Sequence, residues 1–122
     1  MPDRRRPLGA FGERVAVAHL ETKGYAIRER NFRRREGEID IVAEKENCLV
    51  FVEVRTRRGQ AMGTAVESVT PRKQGQLLAL AQAYLQVHES VPPQQRIDVI
   101  TVTLAHDGRV LAVDHIENAV GV

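Results

Sequence analysis

The segment Gly37-Glu38-Ile39-Asp40-Ile41-Val42, followed after a short polar connection by Leu49-Val50-Phe51-Val52-Glu53-Val54-Arg55, decides the fold. Both runs have the apolar, β-branched composition of strands. Each carries an acid where an apolar or neutral residue is expected. A turn centred on Glu46 and Asn47 makes the strands hairpin partners and sets Asp40 directly opposite Glu53. Their Cβ atoms then lie about 5 Å apart. Two ionised carboxylates that close repel, so one pKa rises unless a cation intervenes. Acids in half-buried strands are costly without a partner, and a divalent cation held by oxygen ligands is a natural one. Alternation puts Asp40 and Val42 on one face of their strand, and Phe51, Glu53 and Arg55 on one face of the next. Arg55 is therefore placed to hold a phosphate or a developing negative charge.

Outward from this hairpin, Leu8, Phe11, Val15 and Ala18 recur at helical spacing and Gly24 offers a stop, which predicts a helix over 8–23. A first strand is read over 25–32. On the other side, residues 57–66 contain Gly59 and Gly63 and read as a loop. Thr70 and Pro71 form a helix start, an N-cap followed by a first-turn proline. That helix runs to about His88, before Val91-Pro92-Pro93. Strands over 97–104 and 110–116 flank Asp107-Gly108, a tight-hairpin signal. The order is α-β-β-β-α-β-β in one domain spanning 1–122. The first three strands form an antiparallel meander, and the long helix makes a crossover to a parallel fourth strand. The expected architecture is α/β: a mixed central sheet with helices against it, closed by a C-terminal hairpin strand.

The chain is 122 residues long and 43% hydrophobic, which suits one globular core. No apolar run reaches the ~18–20 residues of a membrane span. The Arg-rich start lacks the apolar stretch of a secretory signal. A lone Cys48 allows no intrachain disulfide and fits a reducing cytoplasm, the expected location. Net charge is +2, but residues 1–58 hold 14 Lys/Arg against 10 Asp/Glu, while residues 59–122 hold 4 against 6. Arg4-Arg5-Arg6, Arg33-Arg34-Arg35 and Arg55-Thr56-Arg57-Arg58 are basic clusters suited to phosphates. Each alone also reads as a solvated surface. Two of them flank the acidic pair, which favours a polyanionic partner. With five aromatic residues, base stacking is not the main binding mode. The histidines at 19, 88, 106 and 115 lack metal-ligand spacing, and no phosphate-binding Gly-rich loop or dinucleotide fingerprint occurs.

Other polar residues carry two readings each. Glu13 lies off the most apolar stripe of the first helix; it faces solvent, or it overhangs the sheet as a third carboxylate. Glu38 is a surface residue after Gly37 or a partner of the site. Lys73 and Gln74 are an ordinary polar first turn or neighbours of a site at the end of the third strand. Asp98, between Ile97 and Val99, is read as a structural partner of Arg96 or of a backbone group.

These residues also carry a resemblance. An Asp followed by Glu-x-Lys on adjacent strands, within α-β-β-β-α-β, is the pattern of the PD-(D/E)XK nuclease superfamily. Gly9 to Glu13, Gly24-Tyr25, Arg30 to Arg33, Gly37 to Asp40, Phe51 to Val54 and Arg96 to Val99 resemble the ordered motif blocks of the bacterial YraN-like family, which is similar to archaeal Holliday-junction resolvases. The resemblance covers nearly the whole chain. It implies a restriction-endonuclease-like αβββαβ core and a Mg²⁺ or Mn²⁺ site formed by Asp40, Glu53 and Glu13. It also implies DNA as partner, branched DNA included, and a homodimer. Arg55 stands where the superfamily has its catalytic lysine. Arginine can stabilise a charged phosphate but is a poor proton acceptor. Arg57 and Arg58, with Arg33, Arg34 and Arg35, would contact flanking phosphates. The implied reaction is metal-dependent hydrolysis of DNA phosphodiesters. The competing expectations are a nucleic-acid-binding module without turnover, and a protein-interaction subunit whose acids only pair with arginines.

Overall fold

The computed structural model describes residues 7–59 and 69–120. Chain order is α1 (Pro7–Thr22), β1 (Ala26–Arg34), β2 (Gly37–Lys45), β3 (Cys48–Arg58), α2 (Pro71–Val87), β4 (Gln94–Leu104) and β5 (Val110–Ile116). The α-β-β-β-α-β-β order matches the sequence reading. Arg4-Arg5-Arg6 and residues 60–66 of the expected loop lie outside the described residues. Arg57 and Arg58, read as the start of that loop, instead end β3. No helix among the described residues is long and apolar enough to cross a membrane.

Glu46 and Asn47 both adopt positive φ, 52° and 65°. A two-residue turn with both central residues left-handed matches the twist of an antiparallel hairpin. It sets the ladder from Lys45↔Cys48 to Ile41↔Val52; the next positions are Asp40 and Glu53, whose side chains still interact although the ladder ends before them. Thr70 caps α2: its Oγ1 accepts from the Lys73 N–H at 3.2 Å, and Pro71 opens the helix. The helix carries the chain back so that β4 pairs with β3 in parallel. β1 and β2 are antiparallel, as are β4 and β5. The sheet order is β1-β2-β3-β4-β5, mixed and five-stranded.

Side chains of β3 alternate between two cores. Val50 and Val52 join Ala16 and Leu20 of α1, with Ile100 and Val102 of β4. Leu49 and Phe51 join Leu77, Leu80 and Tyr84 of α2, with Val99. The helices therefore cover opposite faces of the sheet, and its central strands are apolar on both sides. At the edge of the α1-side core, Asp98 is fully buried. Its carboxylate accepts from Arg96 Nε at 3.0 Å and from the Asn118 backbone N–H at 2.9 Å, and His115 Nε2 lies 2.8 Å away. Burial opposes its ionisation, but the bonds from His115, Arg96 and Asn118 prevail and hold it below the ordinary carboxylate range. Asp98 is thus the structural residue that its apolar neighbours suggested, tying β4 to the chain end.

One stretch departs from simple alternation. Ile41 packs in the α1-side core while Ile39, two residues away, packs in the α2-side core with Val42. Strict alternation puts Ile39 and Ile41 on the same face. The switch falls at Asp40. In the paired strand, Phe32 also packs in the α2-side core, and the preceding Asn31 has φ 58°. Arg30↔Ile41 and Phe32↔Ile39 stay paired across the switch. Both strands turn over together, which preserves their ladder.

Helix α1 reaches the sheet closely at Gly12, where a β-carbon would collide with the Thr56 hydroxyl and crowd the rest of that side chain. The contact favours a residue without a β-carbon: anything larger must turn the Thr56 side chain and push helix and strand slightly apart. Gly12→Ala is expected to destabilise the fold by about 1–3 kcal/mol, read as a shift of the urea midpoint. An unchanged midpoint would show that α1 has slack at this point.

Candidate metal centre

The face switch at Asp40 ends the β2–β3 ladder and leaves its carboxylate between the strands. Asp40 Oδ2 accepts from the Val54 backbone N–H at 2.8 Å. Glu13 comes from α1 and is 3% exposed, a consequence of the close approach at Gly12. It does not face solvent: the helix overhangs the sheet, and its glutamate enters the site. Glu38 arrives from the start of β2. Carboxylate oxygens of Glu13, Glu38 and Asp40 all lie within 4.8 Å of one another. Glu53, 4% exposed, adjoins Asp40 from β3. It lies 3.5 Å from Arg55 Nη1 and 3.7 Å from Lys73 Nζ.

The sequence reading pairs Asp40 with Glu53, leaves Glu13 either facing solvent or overhanging the sheet, and adds it to the site only through the resemblance. The structure brings Glu38 into the closest trio, while Glu53 divides its contacts between Asp40 and two cations. Asn31, which in the sequence is one residue of the Arg30 to Arg33 block, joins the acids. Its side-chain Nδ2 donates to Glu13 Oε1 at 3.0 Å and to Glu38 Oε1 at 2.7 Å. Both neighbours are carboxylates, so the amide nitrogen faces them. Asparagine tolerates left-handed backbone better than most residues. The turnover of β1 and the bridging of two acids therefore call for the same side chain.

Burial is the main force raising the Asp40 pKa, and repulsion from Glu53 and Glu38 adds to it. The Val54 N–H opposes them and does not win: the carboxyl is pushed up to about 8. An all-oxygen donor set with excess negative charge suits a hard divalent cation such as Mg²⁺ or Mn²⁺. The residues present fit such an ion.

An open cleft of about 360 Å³ adjoins these acids, lined by Leu8, Gly9, Glu13, Asp40, Val54, Arg55 and Thr56. The antiparallel hairpins put the start of β2 and the end of β3 at the same end of the sheet, and with them the arginines of 33–35 and 55–58. Arg33 lies 3.5 Å from Glu38 Oε2, and Arg34 covers the Phe32 ring at 4.2 Å. Arg35 is exposed in the β1–β2 turn. Arg57 Nε donates to Thr103 Oγ1 at 3.3 Å, and Arg58 Nη1 donates to the His106 carbonyl at 3.2 Å. Gln74 is spent on the α2 start: its Nε2 donates to the Val69 carbonyl at 3.1 Å.

A model of the family described as "Uncharacterised protein family UPF0102" matches residues 12–102. The chain is 48% identical over 122 residues to a UPF0102 protein of Chloroflexus aurantiacus, covering 99% of this chain and 98% of that one. It is 47% identical over 102 residues to one from Kineococcus radiotolerans, covering 83% and 84%. It is 46% identical over 114 residues to one from Syntrophomonas wolfei, covering 93% and 97%.

Two expectations follow from the geometry. The Asp40 pKa is raised on folding, so its contribution favours folding below the unfolded value near 4 and is lost as pH rises towards 8. Without divalent ions, Asp40→Asn is expected to melt higher than the wild type at pH 8, with the gap closing at pH 5. A gap of the same size at both values would refute the linkage. Asn31→Gly keeps the backbone conformation and removes the amide. It is expected to weaken Mn²⁺ binding, followed by titration calorimetry, about tenfold, and equal affinities would argue against the bridging role.

Proposed function

From the premise that this chain belongs to the uncharacterised protein family UPF0102, we propose that it is a divalent-cation-dependent endonuclease that hydrolyses phosphodiester bonds in DNA, branched DNA included. One observation carries the reading: acids from α1 and β2 converge beside Glu53, at a cleft edged by Arg55 and flanked by arginine clusters. The αβββαβ order and mixed sheet support a restriction-endonuclease-like core and kinship with the PD-(D/E)XK superfamily. A homodimer acting on two strands fits this reading.

Glu13, Glu38, Asp40 and Glu53 would hold the cation. When bound, Mg²⁺ or Mn²⁺ polarises a phosphate oxygen and makes water a better nucleophile. The rest follows from the protein's own groups. Arg57 and Arg58, with Arg33 to Arg35, hold phosphates along the backbone and orient the scissile ester. Arg55 grips a phosphate at the cleft, and the cations around the acids offset the extra negative charge of the pentavalent transition state, where electrostatic stabilisation is the main requirement. The water oxygen forms a bond to phosphorus and the ester P–O bond breaks. A water proton passes to solvent and the departing oxygen regains one, leaving a phosphate monoester and a hydroxyl.

Arg55 favours a second reading. Its guanidinium binds phosphate but does not accept a proton, which suits a DNA-binding module without turnover. Labelled linear and branched DNA, incubated with Mn²⁺, separates the two. The nuclease reading expects cleavage that Asp40→Asn reduces by at least about 10²-fold. Salt-sensitive binding without cleavage would establish the second reading. Absence of both at low salt would overturn each of them.

A further inference from the structure

Arg55 and Lys73 reach the same atom. Arg55 Nη1 is 3.5 Å and Lys73 Nζ 3.7 Å from Glu53 Oε2. They come from different elements, Arg55 two residues along β3 and Lys73 from the first turn of α2. The Arg55 side chain is 44% exposed and that of Lys73 is 30% exposed. The arginine is therefore the more open to solvent, on the cleft, and the lysine the more enclosed. Lys73 is held by its helix: Thr70 caps its backbone N–H, and Gln74 fastens the same turn to the Val69 carbonyl. That cap fixes the backbone position from which the lysine side chain reaches Glu53.

Resting on the nuclease reading above, we propose that the two cationic tasks of the site are divided, with Lys73 as its inner cation and Arg55 as its outer phosphate anchor. An ammonium is a compact point charge with three rotatable donors, suited to orienting a water and a phosphate oxygen at close quarters. A guanidinium is a flat fork, suited to gripping a phosphate in the cleft. Lys73 also offsets part of the negative charge of Glu53. The chain then has a lysine at its acids, supplied by the crossover helix instead of β3. The role needs only the charged ammonium; no proton leaves it.

The division predicts different losses for the two residues. Lys73→Met removes a positive charge beside a cation ligand, so Mn²⁺ affinity by calorimetry is expected to hold or rise. The same variant is expected to cut kcat on duplex DNA about 10²-fold, with KM nearly unchanged. Lys73→Arg is expected to restore only part of the rate. Arg55→Met is expected mainly to raise KM and flatten the salt dependence of binding. A merely structural Lys73 would instead weaken Mn²⁺ binding and lower the melting temperature in step with activity, which would overturn the proposal. Cleavage by Lys73→Met at the wild-type rate would overturn it while leaving the nuclease reading intact. A wild type that takes up Mn²⁺ and does not cleave would overturn both.

Discussion

Repulsion among buried and half-buried carboxylates is the constraint around which this end of the molecule is arranged. Asp40, Glu38, Glu13 and Glu53 come from three elements into a space where water cannot screen them fully. Each neighbouring feature answers that cost. The Val54 N–H donates to Asp40, the Asn31 amide joins Glu13 to Glu38, and Arg55 and Lys73 share an oxygen of Glu53. The answer is incomplete, because Asp40 still holds its proton to about pH 8. A stability optimum alone would not assemble such a cluster, since buried charge without full compensation weakens a fold. Destabilised, pKa-perturbed groups beside a cleft are instead what functional sites show.

The order of elements was legible because each signal is local. A proline behind a threonine cap, two strands around Glu46-Asn47 and an Asp-Gly turn act within a few residues, and the chain follows them. The hairpin turn also carried the register far enough to set Asp40 against Glu53. Asp98 was readable for a similar reason: a buried acid next to an arginine has few alternatives to pairing with it.

The rest of the site depended on contacts between elements. A helical wheel gives the direction of Glu13 but not the height of the helix above the sheet. That height depends on Gly12 against Thr56, a contact between residues 44 positions apart. Alternation likewise assumes an unbroken strand, and the turnover at Asn31 and Asp40 breaks it. Arg-Asn-Phe-Arg reads as an ordinary polar strand until the asparagine is seen in left-handed conformation beneath two glutamates. Lys73 could be suspected from the crossover, which must start near the end of β3, but its shared contact with Glu53 required the folded helix.

The joint turnover of β1 and β2 has a consequence for how this chain can vary in length. Deleting Asn31 alone would shift every later residue of β1 by one position against β2, setting Phe32 opposite Asp40 instead of Ile39. Deleting Asp40 alone would do the same to the entry of β2. Removing both would restore a regular, alternating pair of strands and keep the turn between them. The two positions therefore form one indel-coupled unit, in which a single loss disrupts the core and a matched loss leaves a plain hairpin stripped of its central acid. Length variation here is a property of the pair of strands, not of either strand alone.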